Sequence, residues 1–295
     1  MKQQKEKKSY KKLIIILITI TAIICSLLLY SRFISTKGLI VKEYKVVNEK
    51  ITDNFHGLKI VHISDIHYGS TIHKKELKEI VAKINILKPD IVVLTGDLLD
   101  ETIDLPKNYE KEIIETLSKI DTTIGKYAIN GNHDYEFKNF NTIIEQSGFI
   151  NLNDNYDQIY KDGNNYILLT GISTNMHGDK QLEEKLEGTT TLLTTIPEEE
   201  KNNIYKILLT HEPDIIDDIQ SIDFDLILAG HSHNGQVRLP FIGAIVTPEY
   251  SKKYYEEHYT IDNTELYISG GLGTSTIKFR FFNKPSINLY RITNK

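Results

Sequence analysis

The chain has 295 residues and a formal net charge of −5, and it is long enough to bury a substantial core in one large domain or two small ones. Six Lys and one Glu give the first 12 residues a charge of +5, so the rest of the chain carries −5 − 5 = −10. An acidic body argues against nucleic acid as a bulk partner. Cys25 is the only cysteine, which excludes a disulfide within the chain.

Residues 13–30 form an uncharged apolar run that predicts one transmembrane helix. As a helix the run would be about 27 Å long, close to the ~30 Å hydrocarbon core of a bilayer. A cleaved signal peptide and a lipoprotein signal are the alternatives. However, no small-residue cleavage site follows Tyr30, and Ile24 precedes Cys25 where a lipobox needs a small residue. We therefore expect a basic cytoplasmic tail at 1–12 and an anchor at 13–30 that contacts the lipid bilayer.

Residues 31–57 are predicted to be a stalk with an entry strand, since 41–47 alternates like an edge strand. An extended stalk would hold the following domain some tens of Å from the bilayer, whereas a packed one would press it against the headgroups. Four basic residues lie between Arg32 and Lys45, fewer than the six Lys before the anchor. This asymmetry predicts a single-pass protein of the cell membrane with its main domain outside the cytoplasm.

From residue 58 onward, β-branched apolar runs alternate with amphipathic stretches. The predicted strands are 58–63, 91–95, 126–130, 166–171, 204–210, 225–229, 235–239, 265–269, 276–281 and 287–292. The predicted helices are 73–87, 109–119, 137–147, 179–187 and 213–219. Early β-α-β spacing and late β-β spacing indicate an α/β fold of two mixed sheets packed face to face, with helices outside each. The polar stretches 172–203 and 244–262 are too long for turns and are predicted to cap a substrate site.

Five short motifs carry residues with metal-binding chemistry. They are Asp65-x-His67, Gly96-Asp97-Leu-Leu-Asp100, Gly131-Asn132-His133-Asp134, a lone His211 and Gly230-His231-Ser-His233. Every one except His67 lies at or just after the end of a predicted strand, where catalytic groups usually lie. Asp, Asn and His hold borderline divalent cations, so the motifs supply ligands for two metal ions. In Asp-x-His and His-x-His we expect an extended backbone that projects residues i and i+2 to one side.

This series of motifs resembles the calcineurin-like metallophosphoesterase superfamily, from about Leu58 to the C-terminus. The blocks 60–67, 230–240 and 269–275 are similar to those of its membrane-anchored or exported bacterial branch. The resemblance implies a four-layer α/β/β/α sandwich over 58–295, behind the one transmembrane helix. It also implies two divalent metal ions as cofactors, and Mn, Fe and Zn all suit mixed nitrogen and oxygen ligands.

The resemblance assigns a role to each motif residue. The first metal would be held by Asp65, His67 and His233, the second by Asn132, His211 and His231, and Asp97 would bridge the two. His133 is expected to be the general acid, with Asp100 as its partner. Asp134 is expected to cap the following helix or turn. One departure concerns Gly270, which stands where an Arg often precedes the Gly-Leu-Gly step, and this removes one phosphate contact.

We expect a membrane-anchored dinuclear metal-dependent phosphoesterase that hydrolyses a phosphodiester or pyrophosphate bond by metal-activated water. Its phosphoester substrate would be associated with the membrane or envelope. An alternative is a glycolipid pyrophosphatase acting on substrates of the UDP-2,3-diacylglucosamine type. A non-catalytic surface binding module is disfavoured because all seven ligand positions and His133 are present. A metallo-β-lactamase-type enzyme is disfavoured because His231-Ser-His233 continues as Asn-Gly-Gln.

Overall fold

The computed structural model describes residues 2–177, 180–219 and 222–295. Two six-stranded sheets form its main body. The helices are α1 (Lys2–Phe33), α2 (Lys74–Leu87), α3 (Tyr109–Leu117), α4 (Phe140–Gln146), α5 (Leu182–Thr194) and α6 (Glu198–Lys201). The strands are β1 (Ile40–Val47), β2 (Leu58–Ile63), β3 (Ile91–Thr95), β4 (Gly125–Ile129), β5 (Ile150–Asn151), β6 (Asn155–Tyr160), β7 (Tyr166–Gly171), β8 (Tyr205–Leu209), β9 (Leu226–Ala229), β10 (Arg238–Leu239), β11 (Gly243–Ala244), β12 (His258–Ile261), β13 (Thr264–Ile268) and β14 (Ser286–Thr293). Short 3-10 turns lie at Ser35–Lys37, Asp53–Phe55, Pro213–Asp217 and His233–Gly235.

Both sheets are mixed. The first has the order β1-β14-β2-β3-β4-β5, in which β2 to β5 are parallel and β14 is antiparallel to β2. The second has the order β12-β13-β9-β8-β7-β6, with a parallel centre from β13 to β7 and an antiparallel strand at each edge. Neighbouring parallel strands end at the same edge of their sheet, and that edge is where the motif loops emerge.

The sheets pack face to face with helices on their outer faces, so the fold has four layers, and the predicted α/β/β/α sandwich is confirmed. Alternate residues of β2 show the reason: Leu58 and Ile60 face the second sheet, whereas Val61 and Ile63 face the helices. A strand buried on both faces is a continuous apolar run, as its sequence is. The helix α5 covers the outer face of the second sheet.

Helix α2 illustrates how the outer layer forms. Its buried residues Leu77, Ile80, Val81 and Ile84 recur at helical spacing, so one side of the helix is apolar. The Glu76 carboxylate accepts a hydrogen bond from the backbone N–H of His73 at 3.1 Å, which satisfies a free donor at the first turn.

Several predicted elements differ in the structure. Residues 276–281 form a loop held by side-chain and backbone hydrogen bonds, and 235–239 is largely a turn with two strand residues at its end. The predicted helix 213–219 is a 3-10 turn. The predicted helix 179–187 starts at a residue outside the described ranges, and α5 itself runs from Leu182 to Thr194. The strands β5, β6, β11 and β12 were not predicted, because short edge strands carry no strong apolar alternation.

Helix α1 is exposed along its apolar length and is the one described helix long and apolar enough to cross a membrane. Its C-terminal end packs on the sheet domain, where Ser31 is buried and its carbonyl oxygen accepts a hydrogen bond from Arg280 N at 3.1 Å. β1 pairs with β14 along its whole length. Residues 40–47 therefore belong to the first sheet, and the segment after α1 is packed, not an extended stalk.

Candidate metal centre

The loops that follow β2, β3, β4, β8 and β9 meet at one edge of the sandwich. They bring together the seven residues expected to bind metal: Asp65, His67, Asp97, Asn132, His211, His231 and His233. Except for Asn132, which is partly exposed, each of these residues is buried. Side chains as far apart in sequence as Asp65 and His233 thus share a small volume, because parallel strands present their carboxyl ends together.

Asp65, His67 and His233 form one group of donor atoms. The ring nitrogens Nε2 of His67 and His233 lie 3.2 Å apart, and Nε2 of His233 lies 3.4 Å from Oδ1 of Asp65. Two imidazole nitrogens and a carboxylate oxygen are a ligand set that suits divalent Mn, Fe or Zn.

Asp97, His211 and His231 form a second group. His211 Nδ1 donates to the carbonyl oxygen of Thr95 at 2.7 Å, and His231 Nε2 donates to that of Glu249 at 2.7 Å. When neutral, each ring leaves its other nitrogen as an acceptor, which is the tautomer that a metal ligand needs.

Two buried atoms of this second group have no hydrogen-bond partner among the described residues. They are Nε2 of His211 and Oδ1 of Asn132. An unpaired buried polar atom costs about 1–3 kcal/mol, and a cation bound to such an acceptor would remove that cost. The donor set and its unpaired atoms fit divalent metal ions.

Asp97 lies between the two groups. Its Oδ2 is 3.6 Å from Nε2 of His67 and 3.2 Å from Nε2 of His211. Burial acts to raise the pKa of the Asp97 carboxyl, but the neighbouring imidazoles, above all His211, hold that pKa well below its usual range. In His231 and His233 burial lowers the pKa of the ring, so both imidazoles are in the neutral form that binds metals.

The backbone of the paired motifs is not extended, contrary to the expectation from their spacing. Asp65 and His67 have φ of 52° and 44°, and His231 and His233 have φ of 65° and 48°. This left-handed conformation costs most residues energy, and Asp, Asn and His adopt it more readily than others. This conformation curls each loop so that both side chains turn inward. The loop after β2 is also bonded to the loop after β3, because His67 N donates a hydrogen bond to the Asp97 carbonyl oxygen at 3.0 Å.

Glycines allow the ligand loops to touch. A Cβ atom at Gly131 would lie 2.2 Å from Oδ1 of Asp97, and one at Gly96 would lie 2.5 Å from the backbone nitrogen of Gly131. Gly96 also has φ of +86°, a conformation that glycine adopts without strain. The close approach places His133 N 3.0 Å from Oδ1 of Asp97, so this carboxylate also accepts a backbone hydrogen bond.

His133 lies beside the two groups and lines the cleft above them. Its Nδ1 is 2.7 Å from Oε2 of Glu101, and its Nε2 is 3.5 Å from Oγ of Ser275. Asp100, the expected partner, is further away at 3.6 Å and also lies 3.4 Å from Nδ1 of His67. Glu101 is therefore closer to His133 than Asp100 is. In the sequence, only its position directly after the Gly96–Asp100 motif pointed to this role.

Asp134 does not cap the helix that follows, which begins six residues later at Phe140. Its carboxylate accepts hydrogen bonds from Gly131 N and Leu99 N, both at 2.9 Å, and from Leu98 N at 3.3 Å. It therefore joins the loop after β4 to the loop after β3. Burial and the nearby Asp97 raise the pKa of Asp134 to about 7.

Arg280 is a site residue that the sequence did not reveal. Its guanidinium is fully buried and donates to the carbonyl oxygens of Gly270 at 2.8 Å and Gly273 at 2.6 and 3.0 Å. The same group lies 3.3 Å from Nδ1 of His233. Position 270 is a glycine where the superfamily often has an arginine, but Arg280 brings a guanidinium next to it. It does so because residues 276–281 fold back as a loop.

The metal-binding groups open into a cleft of ≈ 490 Å³. The wall opposite the ligands is apolar and contains Met176, Val237, Ile245, Val246, Pro248 and Ile277. The stretch 244–262 therefore borders the cleft, as predicted. The stretch 172–203 contributes only Met176 among its described residues, because its helix α5 packs on the outer face of the second sheet.

Comparison with known proteins identifies the family. Residues 58–235 match the family model described as calcineurin-like phosphoesterase. The uncharacterized metallophosphoesterase YkuE of Bacillus subtilis is 31% identical over 268 residues, which are 89% of this chain and 88% of the relative. A transmembrane protein with metallophosphoesterase domain from Danio rerio is 28% identical over 84% of this chain and 56% of its own length.

Among solved structures, a dimetal phosphatase from Danio rerio is similar with a TM-score of 0.41 and 12% identity, over 74% of this chain and 88% of that one. The family model covers the loops after β2, β3, β4, β8 and β9, which carry the candidate ligands. The chain therefore belongs to the calcineurin-like phosphoesterase family and is a hydrolase acting on phosphoric esters.

Proposed function

We propose that this protein is a membrane-anchored phosphoesterase that uses two divalent metal ions to hydrolyse a phosphodiester or pyrophosphate bond. The observation that supports it best is the pair of adjacent donor groups with Asp97 between them, in which two buried acceptor atoms lack a partner among the described residues. A single ion would leave one of these groups unused.

In this proposal Asp65, His67 and His233 hold one ion. Asn132, His211 and His231 hold the other, and Asp97 contacts both. Ions at these positions would lower the pKa of a water molecule and neutralise phosphoryl oxygens. In the net reaction the water oxygen bonds to phosphorus, the bond from phosphorus to the leaving oxygen breaks, and that oxygen takes one proton.

His133 supplies this proton. Its Nε2 faces the cleft, and its Nδ1 is hydrogen-bonded to Glu101, which fixes the orientation of the ring. Asp100 lies 3.6 Å from the same nitrogen of His133 and 3.4 Å from Nδ1 of His67, and serves as a second positioning carboxylate.

The segment 1–12 is proposed as a cytoplasmic tail, 13–30 as the membrane anchor and 58–295 as the catalytic domain, to which the strand at 40–47 also belongs. Exposure of α1 along its apolar length supports the anchor, because an exposed apolar helix of this length is stable only in a bilayer or against a partner. The excess of Lys before the anchor supports an orientation with the catalytic domain outside the cytoplasm.

Metal removal tests the proposal. We expect the full-length protein in detergent to contain two divalent ions per chain and to hydrolyse bis-p-nitrophenyl phosphate. Chelation should abolish this activity, and Mn, Fe or Zn should restore it. Asp97→Asn should lower kcat on the order of 10²–10³-fold, more than Asn132→Ala does, because Asp97 contributes charge to both ions. Full activity after exhaustive chelation would refute the dinuclear proposal.

A further inference from the structure

The apolar wall of the cleft is larger than a small phosphoester requires. Six apolar side chains, Met176, Val237, Ile245, Val246, Pro248 and Ile277, face the ligands across ≈ 490 Å³. The phosphate itself needs cations and hydrogen-bond donors. The wall therefore fits an apolar portion of the substrate, attached close to the phosphate.

The apolar wall continues to α1 through a second cavity of ≈ 330 Å³. This cavity lies between Ile24, Leu27 and Leu28 of α1 and the side chains of Phe279 and Phe281. Val237 and Ile277 line both cavities, so the two cavities are adjacent and share an apolar wall. An apolar path thus leads from the candidate metal ligands to the helix that we propose as the anchor.

The end of the path beside α1 lies at the level of the hydrocarbon core of the bilayer, if α1 spans the membrane as proposed. Ile24 precedes the end of the apolar run at Tyr30 by six residues, which is about 9 Å along the helix axis. A side chain at that depth of a membrane-spanning helix lies among lipid tails, below the headgroups.

Exposed apolar side chains lie close in sequence to the residues that line the path. Phe241 is fully exposed, Ile242 and Val246 are exposed by 70% and 74%, and Phe282 by 66%. Phe241 and Ile242 lie in the turn of the β10–β11 hairpin, Val246 lies two residues after β11, and Phe282 lies in the loop before β14. Exposed apolar side chains of this kind mark a surface that contacts lipid or protein, and the packing of Phe282 on Phe281, which lines the cavity beside α1, favours lipid.

Hydrogen bonds fix the walls of the path to α1 and to the cleft. Arg280 N donates to the carbonyl oxygen of Ser31, and Arg238 N donates to that of Phe281 at 2.9 Å. Gln236 Nε2 donates to the carbonyl oxygen of Ile277 at 2.7 Å. The path is therefore held in place in the fold as it stands.

We propose that the substrate is a lipid phosphoester of the bilayer that α1 spans, whose hydrocarbon chain occupies this path while its phosphate lies at the metal ligands. The chain enters sideways from the bilayer between α1 and the 276–282 loop. The proposal rests on the proposed function, because it requires a phosphoester substrate and a membrane-spanning α1.

The test uses the full-length protein in phosphatidylcholine nanodiscs and a series of p-nitrophenyl alkyl phosphodiesters with methyl, butyl and octyl chains. All three release the same p-nitrophenol, so the leaving group is constant. We expect kcat/KM to rise roughly fourfold for each CH₂ group that enters the path. The readout is the ratio of kcat/KM for the octyl ester to that for the methyl ester.

Variants separate the path from simple partition into the nanodisc. Ile277→Asn should lower the ratio at least tenfold, and Ile277→Ala should lower it less. Ile86→Asn is the matched control: Ile86 is 72% exposed on α2 and lines neither cavity. It should keep the wild-type ratio, because partition of the ester into lipid is the same for every variant.

Each outcome decides the proposal. An equal ratio in wild type, both Ile277 variants and Ile86→Asn overturns the path, even if every ester is hydrolysed. If Ile277→Asn does not fold, the ratio for Ile277→Ala decides. Failure of the wild type to hydrolyse any ester in the series would contradict the proposed function itself, which is a distinguishable result.

Discussion

At the scale of single residues, His133 combines exposure to the cleft with a carboxylate behind its ring. Glu101 contacts Nδ1, and Nε2 lies 3.5 Å from Oγ of Ser275, another residue of the cleft lining. Six of the seven candidate ligands are buried, whereas His133, like Asn132, is partly exposed. This contrast supports a role in proton transfer for His133 and in metal binding for the others.

We expect His133→Ala to lower kcat about 10²–10⁴-fold on alkyl esters, which need a proton on the leaving oxygen. The loss should be smaller on p-nitrophenyl esters, whose leaving group departs unprotonated. Metal content, measured by mass spectrometry, should stay near the wild-type value, and Tyr135→Phe serves as a neighbouring control that should change neither quantity. Loss of a metal ion in His133→Ala would assign His133 to the ligands instead.

His62 is a buried histidine outside the metal ligands. Its Nε2 is 2.7 Å from Oγ1 of Thr95, and its Nδ1 is 3.3 Å from the hydroxyl of Tyr290. Burial lowers the pKa of His62 to about 3, against 6.5 for an exposed ring. Between pH 6.5 and 3 the unfolded chain therefore binds a proton that the folded chain excludes.

The contribution of His62 to the free energy of unfolding should fall as the pH falls through this window, and it should be constant above pH 6.5. The free energy of unfolding should decrease by about 1.4 kcal/mol per pH unit below 6.5 because of this residue. Urea titrations of the metal-free protein at pH 7 and pH 5 measure it. His62→Gln should lack this component of the slope, whereas His56→Gln, at an exposed histidine, should retain it; identical slopes in all three proteins would refute the assignment.

At the scale of elements, the loops after the strands are joined to one another by hydrogen bonds and close backbone contacts. Asp134 hydrogen-bonds two loops, glycines allow the loops after β3 and β4 to touch, and Arg280 fixes the loop after β13. The ligands are therefore positioned by contacts between loops that are distant in sequence.

Arg280→Met should destabilise the protein by about 2–5 kcal/mol, because the carbonyl oxygens of Gly270 and Gly273 would be buried without their donors. Metal retention should also weaken, since His233 loses its neighbour. Arg291→Met is the control: this arginine forms an exposed ion pair with Glu43, and its loss should cost less than about 1 kcal/mol. Urea midpoints in detergent measure both. Equal midpoints would mean that Arg280 does not stabilise the loop.

At the scale of the whole molecule, the packed segment after α1 keeps the sheet domain against the end of the proposed anchor. The exposed apolar residues of the β10–β11 hairpin and of the loop before β14 belong to the same region as the cavity beside α1. The catalytic cleft is therefore expected to lie at the membrane surface.

Protease added to intact protoplasts should digest the 58–295 domain without lysis, because the six Lys before the anchor oppose transfer of the N-terminus across the membrane. A cytoplasmic marker protein should stay intact in the same sample. Protection of the domain until lysis would place it in the cytoplasm, and would restrict its substrates to the inner face of the membrane.

The sequence by itself determined the apolar helix, most central strands and the residues of the metal centre. Central parallel strands are continuous apolar runs because both of their faces are buried, and the ligand types follow these runs directly. Short motifs at strand ends were therefore enough to predict which side chains meet, without any knowledge of the loop conformations.

Only the tertiary structure decided how these side chains are held. The left-handed backbone at Asp65, His67, His231 and His233, the choice of Glu101 over Asp100 beside His133, and the guanidinium of Arg280 all depend on contacts between loops far apart in sequence. The packing of α1 beside Val237 and Ile277 is equally non-local. The spacing of apolar residues predicts a helix or strand because it reflects which side of that one segment is buried. The conformation of a loop depends on contacts with distant segments, which form only in the folded chain.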